Sequence, residues 1–296
     1  MKKFLGLLIV LTLVAWPLQL SGHAGHAGKP QQRQIDWATV EVKVEQVRGS
    51  IWMLSTNLGG NIGVSAGEDG ILIVDDQFAP LADKIREKLK GISAGKLKFV
   101  LNTHYHGDHT GGNPQFGSEA PIVAHDNVRK RLSDQPKQGW PVVTFGDRVS
   151  IHFNGEEIRA MHFPSGHTDG DSIIFFTGSN VVHMGDDYFS GRFPYVDLNA
   201  GGTVEGLTKN IAEVIAKLPA DVKIIPGHGP VSTVDDLKTY HRMLVETTAH
   251  VRKGIDAGKT LDQLKADGLP EEWKSWSWNF IPTDRWITTL YNSFAN

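Results

Sequence analysis

Six consecutive residues, His104-Tyr105-His106-Gly107-Asp108-His109, set three imidazoles and a carboxylate directly after the apolar run Leu97-Lys98-Phe99-Val100-Leu101. Imidazole nitrogen and carboxylate oxygen together are the donor mixture that zinc and related divalent ions accept. His104 and His106 lie two apart, so an extended backbone projects them to one side. Asp108 and His109 follow the flexible Gly107 and reach a second position, so one metal can take the first pair and another the second.

Four donors do not complete two tetrahedral or five-coordinate sites, so later segments must supply the rest. Three residues are placed to do so. His167 lies in the Gly/Pro/Ser turn Phe163-Pro164-Ser165-Gly166-His167-Thr168, between two candidate strands. Asp186 ends the apolar run Val181-Val182-His183-Met184-Gly185, and His228 follows Ile224-Ile225-Pro226-Gly227. Each donor therefore caps a strand.

With these residues in this order, the chain resembles the metallo-β-lactamase-fold hydrolases over roughly residues 40 to 235. The His-x-His-x-Asp-His motif, the Gly-His-Thr segment, the strand-end Asp and the Pro-Gly-His carry the resemblance. It implies an α/β (α+β) fold, a four-layer αββα sandwich with two zinc ions at one edge of its sheets. It also implies that His104, His106 and His167 hold the first ion, that Asp108, His109 and His228 hold the second, and that Asp186 bridges them. Asp75, ending a strand, is expected to support the metal loop by hydrogen bonding rather than as a ligand.

Zinc brings the pKa of a bound water down to about 7, so hydroxide becomes accessible at neutral pH and attacks a carbonyl without a Ser or Cys nucleophile. Asp108 then has two duties, ligating the second ion and orienting the hydroxide. Tyr188 is the expected oxyanion donor, because lactonase-type relatives use a Tyr in that neighbourhood. One large branch of true β-lactamases carries Cys in the slot of Asp186 and Lys three positions later. This chain has no cysteine and has Phe189 at the second place, with Arg192 the substitute for anchoring a substrate carboxylate. Asp in the slot is what glyoxalase II-like and lactonase-like relatives carry.

The elements that must position these residues follow from periodicity. Alternation over 40–47 and 50–54 predicts paired strands, and 61–66 and 71–74 continue them through a Glu68-Asp69-Gly70 hairpin turn. Leu81, Ile85 and Leu89 recur every four residues as one face of a helix. The segment from Thr110 to Asn113 is expected to open a short helix whose glycines allow close approach to the metal loop. Leu207, Ile211, Val214, Ile215 and Leu218 form a second helical stripe, and 237–251 a third. Short helices over 261–266 and 284–294, the latter capped by Thr283, flank a segment with Trp273, Trp276 and Trp278. These tryptophans either pack on the main domain or line a substrate groove or subunit contact. Of the remaining histidines only His183 is placed to support the site; His125, His152, His162, His241 and His250 read as surface or hydrogen-bonded core residues.

The 296 residues, 40% of them hydrophobic, suffice for a sizeable core, and a formal charge of −3 gives no basic face for nucleic acid. Met1-Lys2-Lys3 followed by an apolar run to Trp16 and small residues up to Ala27 reads as a signal peptide, too short for a membrane span of about 20 residues. The expected organisation is a signal peptide over 1–27, a linker over 28–37, a catalytic domain over 38–252 and a C-terminal helical extension over 253–296 packed on it. The protein is then periplasmic or secreted, without stable membrane association after cleavage, and acts on a small-molecule substrate; sequence leaves its oligomeric state open. The expected function is a dinuclear zinc hydrolase that opens a cyclic amide or ester, β-lactamase-like, with a lactonase or glyoxalase II-like thioesterase as the alternative. An iron-dependent persulfide oxidoreductase is weakened by the complete second-site donor set.

Overall fold

Gly70-Ile71-Leu72-Ile73-Val74 is buried along its whole length, as a strand is when both of its faces are covered. What covers it sets the architecture. The computed structural model describes residues 35–294, and the expected leader falls outside them. The described residues from Trp37 onward form one compact unit.

Seven strands form the first sheet in chain order: β1 (Lys43–Arg48), β2 (Ile51–Ser55), β3 (Ile62–Gly67), β4 (Gly70–Val74), β5 (Leu97–Leu101), β6 (Ile122–His125) and β7 (Val143–Phe145). The first four pair antiparallel as hairpins. From β4 onward the pairing is parallel. The crossovers carry helices α1 (Ala82–Ile92), α2 (Gly107–Thr110), α3 (Asn113–Phe116) and α4 (Asp126–Arg131). The second sheet has five strands in the order β12-β11-β10-β9-β8, with β8 (Arg148–Phe153), β9 (Glu156–His162), β10 (Ser172–Phe176), β11 (Val181–His183) and β12 (Lys223–Ile225). Helices α5 (Val204–Lys217), α6 (Val234–Asp256), α7 (Leu261–Asp267) and α8 (Thr283–Ser293) complete the chain.

Side chains alternate across each strand, and the core divides accordingly. Ile71 and Ile73 of β4 face Leu81, Ile85 and Leu89 of the α1 region. Leu72 and Val74 face the other way, into an inter-sheet layer with Ile158, Ile174 and Phe176. On the far side of the second sheet, Ile173, Val182 and Ile224 meet Leu207, Ile211, Leu237 and Leu244. The order is helix, sheet, sheet, helix: the expected αββα sandwich.

Trp273, Trp286, Ile287 and Leu290 belong to the same buried cluster as α5 and α6. The C-terminal segment is thus part of the outer helical layer, and Trp273 is core rather than groove. The boundary expected at 252 falls inside α6, which runs to Asp256 because its buried positions continue to Gly254. Thr283 is the first residue of α8 rather than its cap; Pro282 holds the cap position and makes no side-chain bond there. No helix among the described residues is long and apolar enough to cross a membrane.

Candidate metal centre

All seven expected donors lie at strand ends or in the loops that leave them, at one edge of the two sheets. The loop after β5 carries His104 and His106, and α2 carries Asp108 and His109. His167 comes from the β9–β10 loop, Asp186 from the turn after β11, and His228 from the turn after β12. Two groups result, His104, His106, His167 and Asp186 in one and Asp108, His109 and His228 in the other, with the ligand atoms of each within 4.8 Å of one another.

Asp186 joins the groups. Its Oδ2 lies 3.8 Å from His104 Nε2 and 3.6 Å from His167 Nε2. Its Oδ1 lies 3.1 Å from His109 Nε2 and 3.3 Å from His228 Nε2. Asp108 Oδ2 is 3.3 Å from His228 Nε2. A glycine is required beside this carboxylate, since a Cβ on Gly227 would lie 2.1 Å from Asp186 Oδ1. That explains the middle residue of the Pro-Gly-His motif.

Hydrogen bonds at the outer nitrogens fix the imidazole tautomers, and with them the chemistry of the interior. His167 Nδ1 lies 2.7 Å from the Tyr195 carbonyl, which can only accept, so Nδ1 carries the proton. His106 Nε2 donates to Asp197 Oδ2 at 3.0 Å, and His109 Nδ1 to Asp75 Oδ2 at 2.7 Å. Thr103 Oγ1 gives its proton to Asp75 Oδ2 at 2.7 Å, so it accepts from His104 Nδ1 at 3.0 Å. Each of these four imidazoles, when neutral, therefore turns a lone pair inward. His104 Nε2, His109 Nε2 and Asp186 Oδ1 are buried without a hydrogen-bond partner. Lone pairs and carboxylate oxygens packed against one another favour positive charge between them, and a nitrogen–oxygen donor set of this kind suits zinc.

Electrostatics separate the two groups. Burial, reinforced by the neighbouring His109, holds His104 well below the usual imidazole range, and burial takes His167 down to about 4. Burial also opposes the charged form of His109 and His228, but the carboxylates of Asp186 and Asp108 outweigh it. His228 rises to about 9 and His109 also rises well above its ordinary value. Asp108 is desolvated, yet His109 and His228 hold it below the usual carboxylate range.

Asp75 has the expected supporting role. It is fully buried and takes a left-handed backbone with φ of 64°, a conformation costing on the order of 1–3 kcal/mol for a residue with a side chain. In return both of its oxygens are used, Oδ1 by the Thr103 amide and Oδ2 by Thr103 and His109. His183 supports the site too, accepting from the Gly185 amide and bonding the Asn61 carbonyl, which braces the turn that presents Asp186. His125 and His162 stack on each other at 3.7 Å and enter neither donor group.

Tyr188 does not take the expected place. It is 1% exposed, packs edge-on against Tyr240 at 5.0 Å, and its hydroxyl is directed to Ser190 and Ser232. The short helical turn over Gly185–Asp187 rotates it away from Asp186 into the helical layer. Sequence reasoning also missed Asp197 and Tyr195, which orient His106 and His167; both lie in an irregular loop with no motif to mark them. Phe189, in the slot of the β-lactamase Lys, lies flat on the His228 ring at 4.9 Å.

A hydroxyacylglutathione hydrolase from Pelagibacter ubique is 29% identical over 45% of this chain and 52% of its own length. The 2,4-dinitroanisole O-demethylase subunit alpha of a Nocardioides strain is 26% identical over 50% of this chain and 46% of its own. The chain thus spans about half the length of these curated relatives. A solved metallo-beta-lactamase from Pontibacter korlensis superposes with a TM-score of 0.61, covering 69% of this chain and 99% of that one at 17% identity, a likeness of fold. The profile of the metallo-beta-lactamase superfamily matches residues 56–228, more than half of the chain and every donor named above, and the chain belongs to that superfamily.

Proposed function

We propose that this protein is a dinuclear zinc hydrolase that opens a cyclic amide or ester, with β-lactams the leading substrate class. The observation that carries the reading is the division of Asp186, one oxygen toward each donor group. In this reading His104, His106 and His167 would hold the first ion, Asp108, His109 and His228 would hold the second, and Asp186 would be shared between them. Zinc at such a centre supplies Lewis-acid activation of water and of a carbonyl oxygen.

The chain's own residues supply the rest. Asp108 is a quarter exposed and stays ionised, so it can accept a hydrogen bond from the attacking water and orient it at the mouth of the site. Asp197, the Tyr195 carbonyl and Asp75 hold three imidazoles in fixed tautomers, so no reorganisation is needed during the reaction. Arg192 lines a cavity of about 380 Å³ together with His228, where its guanidinium can pair with a substrate carboxylate.

A second reading, thioester hydrolysis, is favoured by the aspartate at the strand-end position and by the hydroxyacylglutathione hydrolase relative. A panel of β-lactams, lactones and thioesters, assayed with zinc content measured on the same preparation, tests both. Hydrolysis that disappears on chelation and returns with two zinc ions per chain is expected. Full activity after complete metal removal would overturn both readings. The signal peptide expected over residues 1–27 would extend the proposal to a periplasmic or secreted enzyme, for which recovery of a chain starting after Ala24 or Ala27 is the test.

A further inference from the structure

The two imidazoles at the open side of the centre, His106 and His228, are linked by a continuous arc of aromatic rings. Trp278 lies 6.4 Å from His228, Phe280 lies 5.5 Å from Trp278, and Tyr195 lies 5.8 Å from Phe280. Tyr195 closes the arc at 5.7 Å from both His106 and His167. Two of its three rings come from the C-terminal segment, the third from the loop that also orients His167. Phe280 keeps 48% of its surface exposed, an unusual state for a large apolar ring beside a polar centre.

Two guanidinium groups flank this arc. Arg192 sits over Trp278 at 5.0 Å, and Arg285 over Phe280 at 4.5 Å and Tyr195 at 5.3 Å. Arg285 donates to the Phe280 carbonyl, which fixes the ring and the cation together. Neither guanidinium pairs with a carboxylate among the described residues, a state they share with Arg129 and Arg148, whereas Arg48, Arg86, Arg131, Arg159, Arg242 and Arg252 do pair. A guanidinium whose face is taken by a ring still presents its N–H edge, which suits a carboxylate.

We propose that this arc is the specificity surface of the site, and that it selects substrates with a planar aromatic body carrying a negative charge. The inference rests on the hydrolase reading and narrows it, within cyclic amides and esters, to those that bear an aromatic substituent and an anionic group. Ring faces would take the aromatic body by offset or edge-to-face contact, while Arg192 and Arg285 take the anion. A saturated ring system of the same size fills the space but lacks the quadrupole, so aromaticity rather than bulk is what the arc reads.

The test is calorimetric binding of 2-naphthoate and of its saturated counterpart, decahydro-2-naphthoate, to the zinc-loaded full chain. Both probes carry one carboxylate, so any contact of that group with metal cancels in the comparison. The expected result is at least a fivefold preference for 2-naphthoate. Phe280→Leu keeps apolar bulk at a half-exposed position and is expected to abolish the preference. Arg285→Gln is expected to weaken binding of both probes about fivefold. Equal affinities for the two probes, or a preference that survives Phe280→Leu, overturns the proposal. Hydrolysis without the preference overturns the arc and leaves the hydrolase; the preference without any hydrolysis upholds the arc and overturns the hydrolase.

Discussion

His167 Nε2 and His106 Nδ1 lie 2.8 Å apart, each on a ring whose other nitrogen is committed as a donor to an oxygen. Two lone pairs at that distance repel unless a cation lies against both, and the Asp186 carboxylate beside them favours one. His106→Ala is therefore expected to release one ion. Zinc per chain should fall from two toward one, and kcat/KM should fall by more than the about 100-fold that outer-shell changes reach. Unchanged metal content and hydrolysis in this variant would refute the assignment of the first group.

Asp197 gives a finer test of the same ion. Its Oδ2 accepts from both His106 Nε2 and the Tyr105 hydroxyl, at 3.0 and 2.7 Å. Asp197→Ala frees the His106 ring to rotate and to change tautomer, so affinity for the first ion should drop about 10–100-fold. Tyr105→Phe leaves the Asp197–His106 bond in place and should cost much less. Competition with a chromogenic chelator would resolve the two variants, and equal losses would show that ring orientation is not what Asp197 supplies.

Loading of the two groups should separate with pH. In the metal-free chain His228 titrates at about 9, so below that pH an ion entering the second group must displace its proton. His109 is raised as well and adds to the same competition. Affinity for the second ion should then climb about tenfold per pH unit for each proton displaced, up to about pH 9. The first group behaves otherwise, because His167 stays neutral down to about pH 4 and His104 is held low as well. Dialysis at pH 6 against limiting zinc is expected to leave one ion per chain, and dialysis at pH 9 two. Two ions retained equally well at both pH values would contradict the order of filling.

Much of this centre was legible because its donors lie in short motifs whose residue types have few other uses. His104, His106, Asp108 and His109 share six positions, and His167, Asp186 and His228 each end a strand readable from its apolar run. Residues that act through irregular loops left no such mark. Asp197 and Tyr195 lie in Phe193-Pro194-Tyr195-Val196-Asp197, where neither periodicity nor a turn signature assigns a direction to any side chain. Tyr188 failed for a related reason: position after Asp186 suggested proximity, but one helical turn reverses the side-chain direction within two residues. The Trp-rich segment was open between core and groove, and the structure divides it, with Trp273 buried at 1% exposure and Trp278 in ring contact with Phe189.

Trp286 is one of the buried residues through which the C-terminal segment holds the rest of the molecule. It is fully buried, stacks on Phe193 at 5.9 Å with rings 16° apart, and donates from Nε1 to Thr247 Oγ1 at 3.1 Å. Trp286→Ala removes a large ring from a closed layer and leaves the Thr247 hydroxyl with fewer partners, so a loss of about 3–5 kcal/mol is expected. Phe193 begins the loop that continues to Tyr195 and Asp197, so the cavity should also loosen the orientation of His106 and His167. Denaturant unfolding with and without zinc separates the two effects. The variant should lose stability in both conditions, and the extra stability conferred by zinc should shrink. A loss below about 1 kcal/mol would mean that the C-terminal helices only cover the domain, since that is the range of surface substitutions rather than of a core aromatic.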